Sequence, residues 1–227
     1  MRANVTLRML AGLGLILSFT VLPGCAIGLI IGGMADSAKR AGSHMVYAEY
    51  EGLKGKSFAV VVAVDRSIEG ESPGLSSRLT GRINTLIATA HAKMPDGATA
   101  APRVDRLLRT LYNNPSWVAM SRSEVADMLG VDRLIVVDVA AYRLHDPGNS
   151  YIWSGVAAGT VSVYEADGPL PDDAAFEKAI SVSFPDGTGY MVTDIPFDAV
   201  NTELSNRFAN RMAWLFFDHE EPNEIKY

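Results

Sequence analysis

The sequence has one cysteine in 227 residues, Cys25. A lone thiol closes no intramolecular disulfide, and without a CxxC pair there is no thiolate zinc site or dithiol couple. The four histidines, His44, His91, His145 and His219, show neither HExxH nor paired-histidine spacing. They read as solvated side chains at element ends, and neither a metal nor another cofactor is expected. No serine sits in a GxSxG elbow, because position 152, ahead of Ser154, is Ile152. Gly55-Lys56-Ser57 matches the end of a phosphate-binding loop, but Tyr50 occupies the partner glycine's position and the segment precedes a strand. Basic charge is also scarce. The chain carries 20 Lys+Arg against 26 Asp+Glu, a net charge of -6, which excludes the basic face that nucleic acid requires.

Charge is missing altogether from residues 9–35. Arg2 and Arg8 precede the apolar run Met9 to Leu22, and Leu22-Pro23-Gly24-Cys25 places a small residue directly before the cysteine. This is the layout of a lipoprotein signal peptide, residues 1–24, cleaved ahead of Cys25. Acyl chains such as palmitate on Cys25 would then hold residues 25–52 as a lipidated tether, each buried CH₂ contributing about 0.8 kcal/mol. The alternative is an uncleaved signal anchor with Cys25 as a passive thiol, since about 20 apolar residues span a bilayer. Both readings place the rest of the chain outside the cytoplasm, because positive charge precedes the apolar segment. Ala26 stands where an aspartate would favour the inner membrane, which points to the outer one.

Residues 53–219 read as one α+β domain, followed by a C-terminal tail at 220–227. Ser57 to Val64 is a continuous β-branched strand, and Asp65 to Gly74 is a polar loop. Leu75, Leu79, Ile83, Leu86, Ile87, Ala90 and Met94 recur at helical spacing. Arg103 to Tyr112 fits a short helix or a strand running into one. Ser121 to Glu124 fits a capping box, and its helix stops at Gly130. Two long strands, Arg133 to Leu144 and Tyr151 to Ala166, flank the turn segment HDPGNS, with a bulge expected at Gly159. Ile180, Val182 and Phe184 alternate in a third strand, and Asp198 to Asp218 forms the closing helix. The predicted architecture is a βα unit followed by a mainly antiparallel β-meander, with helices packed on one face.

Three residues qualify for acid–base chemistry by position. Asp65 and Asp138 end or interrupt buried strands, and His145 opens a turn beside Asp146. The structural alternative has Asp65 as a cap and Asp138 facing Arg133 or Arg143. Trp117, Trp153 and Trp214 read as core or groove aromatics.

Several segments carry a resemblance: Phe58 to Val62, Met128 to Val136 (MLGVDRLIV), Gly155 to Tyr164 (GVAAGTVSVY) and Phe208 to Glu220. Together they resemble a group of bacterial envelope lipoproteins. The pattern is similar to the domain of the curli-secretion lipoprotein, of the lipoprotein activators of penicillin-binding proteins and of the Tol-system N-terminal domain. It is closest to uncharacterised lipoproteins of that architecture. The resemblance covers residues 57–217 and implies no catalytic residues. It implies a lipid-anchored, non-enzymatic envelope protein in the periplasm, attached to the membrane and binding another envelope protein. An oligomeric accessory subunit of a secretion or transport system, built by self-association, is the alternative. An envelope hydrolase using Asp65, Asp138 or His145 is a further one.

Overall fold

The structure, a computed structural model, describes residues 42–223. Cys25, the leader and the tether up to residue 41 lie outside the described residues. The chain divides into two compact units. The larger spans Met45–His219. In the smaller, residues 43–44 and 220–222 belong to the paired strands Ser43–Val46 and His219–Pro222, and the Asn223 N–H donates to Gly42 O at 2.8 Å.

The larger unit is built on four strands in the order β1 (Phe58–Val64), β2 (Arg133–Arg143), β3 (Gly155–Glu165) and β4 (Ala174–Phe184). Strand β1 runs parallel to β2, as a βα crossover requires, and β2, β3 and β4 form an antiparallel meander. Between β1 and β2 lie α1 (Arg66–Glu71), α2 (Leu75–His91), α3 (Val104–Asn113) and α4 (Arg122–Leu129), and α5 (Phe197–Ala213) closes the unit. The α+β class and the meander are as the sequence predicts.

The strand alternation separates two cores. Phe58, Val60 and Val62 join Ile135, Val137, Ala157 and Val161 under α2 and α5. Ala59 and Val61 join Leu134 and Val136 under α3 and α4, with Leu107, Val125 and Trp117. Helices therefore cover both faces at the β1–β2 side, where the sequence reading put them all on one. The physical reason is the near-continuous apolar run of β1 and of Leu134 to Val137, which must be buried on both faces. Toward β4 the second face is open, and there the strands alternate with Thr160, Ala179 and Ser181.

Local signals explain the ends of the elements. Ser121 and Glu124 make the predicted capping box on α4, and Gly130 stops that helix at φ 69°. Gly159 is required by close approach rather than by its φ. A Cβ there would sit 2.5 Å from the Asp138 carbonyl oxygen and 3.2 Å from Phe208 Cζ. The bulge falls on the partner strand, where the register skips Ala140 between Val139 and Ala141.

Three boundaries differ from expectation. The polar loop after β1 contains α1, whose N-terminus is capped by Asp65. The tether expected up to residue 52 ends earlier. The Glu49 and Tyr50 N–H groups both donate to Leu215 O, at 2.9 and 3.0 Å, and the buried Tyr50 ring packs on Phe176 and Phe216. Two backbone hydrogen bonds and one aromatic side chain hold Glu49 and Tyr50, a signal too short for sequence periodicity. Residues 220–222 of the expected tail belong to the strand His219–Pro222.

Candidate functional site

The acid–base candidates are not assembled into a site. Asp65 Oδ1 accepts from the Ser67 N–H at 2.8 Å and from Ser67 Oγ at 2.6 Å. These bonds hold the Asp65 carboxyl below the usual aspartate range. Asp138 is exposed on β2. Neither expected arginine faces it, since Arg133 binds Asp167 and Arg143 binds Asp146. His145 stacks on Trp153 at 4.5 Å, and its Nδ1 lies 3.0 Å from Ile152 O. No hydrogen bond joins any two of the three, and the described residues contain no cluster of His, Cys, Asp or Glu able to hold a metal.

The densest group of ionisable side chains is a closed clasp. Arg133, almost fully buried, donates to Gly52 O at 3.1 Å and to Asp132 O at 3.0 Å and pairs with Asp167. Lys56 also reaches Asp167, at 2.5 Å, and Tyr50 donates to Glu165 at 2.8 Å. Burial pushes the Tyr50 hydroxyl far above its ordinary range, with the Glu165 hydrogen bond adding to it. Every charge here faces a partner, which suits tying residues 50–57 to β2 and β3 and leaves nothing poised to react.

The sheet edges provide the contrast that a functional site needs. Along β1, the Val60 N–H donates to Asn84 Oδ1 at 3.0 Å, and Asn84 Nδ2 donates to Val60 O at 2.8 Å. The Val62 N–H donates to Thr80 Oγ1 at 3.2 Å. Two strand residues rise about 6.6 Å and four helical residues about 6 Å, so an i, i+4 pair on α2 matches an i, i+2 pair on β1. Phe58 N–H is taken by Ala100 O at 3.0 Å. On the outer edge of β1 the Val60 groups and the Val62 N–H are thus taken by side chains that are themselves buried, and the Phe58 N–H by a backbone carbonyl.

Strand β4 is the other terminal strand. Its even-numbered residues Phe176, Ile180, Val182 and Phe184 pack under α5, while Glu177, Ala179 and Ser181 are exposed. Arg207 Nη1 donates to Ser183 O at 3.1 Å, which shows that Ser183 points its backbone away from β3. By alternation Glu177, Ala179 and Ser181 also direct their N–H and C=O outward. No strand pairs with them among the described residues.

At its C-terminal end β4 runs into an apolar tip. Tyr151, Tyr190, Met191, Val192 and Phe197 are all exposed there, half of the large exposed apolar side chains of the described residues. The two loops carrying Tyr151 and Tyr190 to Val192 are zipped together. Val192 N–H donates to Tyr151 O at 3.0 Å, Trp153 N–H to Tyr190 O at 2.8 Å, and Trp153 Nε1 to Ile195 O at 2.9 Å. A cleft of about 480 Å³ lies between them, lined by Asp146, Trp153, Phe184 and Thr188 among others. Large exposed apolar groups held rigidly side by side are the mark of an interaction surface.

No family model matches the chain, and no curated protein matches it. Solved structures do. Lipoprotein GNA1162 from Neisseria meningitidis is 11% identical, with 69% of this chain and 97% of that one covered and a TM-score of 0.40. The PelC dodecamer from Paraburkholderia phytofirmans is 10% identical over 78% and 98%, with a TM-score of 0.41. Protein XCC0632 from Xanthomonas campestris is 10% identical over 74% and 87%, with a TM-score of 0.39. At these scores the likeness carries no argument about function.

The edge-closing residues Thr80 and Asn84 escaped the sequence reading, as did His91. His91 is buried, not solvated. Its Nε2 lies 2.9 Å from Phe216 O and its Nδ1 accepts from the Ala98 N–H at 3.2 Å. A usable signal existed for the first two: polar residues at i, i+4 set among Leu79, Ile83 and Ile87, opposite a strand buried on both faces.

Proposed function

We propose that this chain is a lipid-anchored, non-enzymatic cell-envelope protein that docks another envelope protein along the outer edge of β4 and the apolar tip beside it. One observation carries the reading: of the two sheet edges, β1 is met by Asn84 and Thr80 at Val60 and Val62, and β4 has no strand on its outer side at Glu177, Ala179 and Ser181 among the described residues. An extended partner segment adds to such an edge through main-chain hydrogen bonds, and neighbouring apolar pockets select its side chains. Location follows from the charge-free stretch 9–35 and Cys25, with the domain in the periplasm and the outer membrane favoured by Ala26. The resemblance of residues 57–217 to envelope lipoproteins supports the same placement. The separate, local engagements of Asp65 and His145 support the non-enzymatic part.

The test is a photo-crosslinking residue at Ala179 in the full chain in cells. A discrete adduct there, absent when the same residue stands at Arg106 on α3, supports the reading. An adduct of twice the chain mass would identify the partner as a second copy, the oligomeric accessory reading. Equal labelling at both positions, or none at Ala179, sinks the edge as the docking site. Mass spectrometry of the mature N-terminus, with Cys25→Ala as control, tests the anchor.

A further inference from the structure

A second, chemically different feature lies on the seam between α2 and α5. Here a cavity of about 280 Å³ is lined by Arg78, Arg82, Asn201, Thr202, Ser205 and Asn206. None of these carries a carboxylate, in a chain where acids outnumber bases. Glu203, the acid nearest them in the α5 sequence, is turned to Arg207, whose Nε donates to it at 2.9 Å.

The hydrogen bonds beneath the cavity set its polarity. Ser205 Oγ donates to the Asn201 carbonyl oxygen at 2.7 Å. The buried Tyr142 hydroxyl donates its one proton to Asn201 Oδ1, the nearest acceptor, at 2.7 Å. That bond fixes the carboxamide with its oxygen engaged and both Nδ2 protons available. Arg78 donates through Nη1 to Pro73 O at 2.7 Å and keeps its other guanidinium donors. Arg82, one turn further along α2, lines the same cavity with an exposed side chain. The cavity therefore presents two guanidinium groups and the Asn201 side-chain amide as donors, beside the Thr202 hydroxyl and the Asn206 carboxamide.

The geometry points to a binding site for a small oxyanion, a phosphate or carboxylate group, held between Arg82, Arg78 and Asn201. A planar guanidinium binds such a group by paired, charge-assisted hydrogen bonds. The volume suits a single charged group with a short attached stem and lies just below the range for drug-sized ligands, about 300–1,000 Å³. The site is separate from β4 and its tip and does not depend on the docking reading.

The test uses the full chain in a neutral detergent. It follows the Asn201 side-chain amide by NMR while sodium phosphate, or sodium acetate, replaces chloride at constant ionic strength. A third arm substitutes vesicles of phosphatidylcholine with and without phosphatidylglycerol, which separates a lipid headgroup from a free anion. A saturable shift in any arm is expected. Arg82→Gln should weaken it about tenfold or more, the loss of one charge-assisted pair. Asn201→Asp should abolish it, because the new carboxylate still accepts from Tyr142 but repels the anion. Arg106→Gln, on α3, should leave it unchanged. No saturable shift in any arm, or unaltered affinity in Arg82→Gln or Asn201→Asp, overturns the proposal.

Discussion

Strands β1 and β4 both end the same sheet, and both would otherwise display a row of unpaired backbone groups. On β1 that row is met by buried side chains of α2, which take the Val60 N–H and C=O and the Val62 N–H. On β4 the helix above packs on the even-numbered side chains and reaches the outward backbone at Ser183 through Arg207, and no strand lies along the outer side among the described residues. Open edges invite strand addition and aggregation, and proteins commonly blunt them. The proposed docking at β4 rests on this contrast between an edge met by two buried polar residues and one with no strand beside it.

The comparison can be broken most forcefully at Asn84. Asn84→Leu keeps the volume but strands the Val60 N–H and C=O in the core, and each orphaned buried group costs about 1–3 kcal/mol. Urea unfolding should show a loss of about 3 kcal/mol; a loss below about 1 kcal/mol would mean that β1 is not closed in this way. Thr80→Val orphans one donor, Val62 N–H, and should lower stability by about 1–2 kcal/mol. Hydrogen exchange sharpens the same contrast without mutation. Val60 and Val62 amides should exchange near the global unfolding limit, and Ala179 and Ser181 amides far faster.

A pH-confined effect follows at the end of α2. His91 donates from Nε2 to Phe216 O and accepts at Nδ1 from Ala98, an arrangement that only the neutral ring satisfies. Burial lowers its pKa below the ordinary histidine value, with nearby Lys54 adding to this. The unfolded chain then takes up the proton first. Stability attributable to His91 is full above about pH 6.5 and declines as pH falls from there through the folded-state value. Protection on the β1 side should drop between pH 7 and 5 and that of β4 should not, and His91→Gln should flatten the slope. The smallest expected change is in the stability of Ala179→Pro, within about 1 kcal/mol, since the N–H it removes points outward from an edge strand. With the photo-crosslinking residue moved to Ser181, the same substitution should nonetheless remove the crosslinked partner.

Much of this molecule is readable from local rules. The αL stop at Gly130, the capping box at Ser121 and Glu124 and the turn segment after Leu144 each depend on a few neighbouring residues. The α+β order follows from where the apolar period changes from 3.6 to 2. Other features depend on residues far apart in sequence. Thr80 and Asn84 look like polar interruptions of an amphipathic helix until β1 is placed against them. Arg133 gives no hint of Asp167, 34 positions away, and His91 none of Phe216, 125 positions away.

The sequence alone determined the charge-free N-terminal stretch with its single cysteine, the class of fold and the absence of familiar catalytic spacings, because each is written in composition or short-range pattern. Only the tertiary structure decided which edge of the sheet is closed, which face of it is open and where the exposed apolar side chains gather. Those properties arise from pairing of backbone and side-chain groups across long loops, and a one-dimensional pattern does not encode the partner.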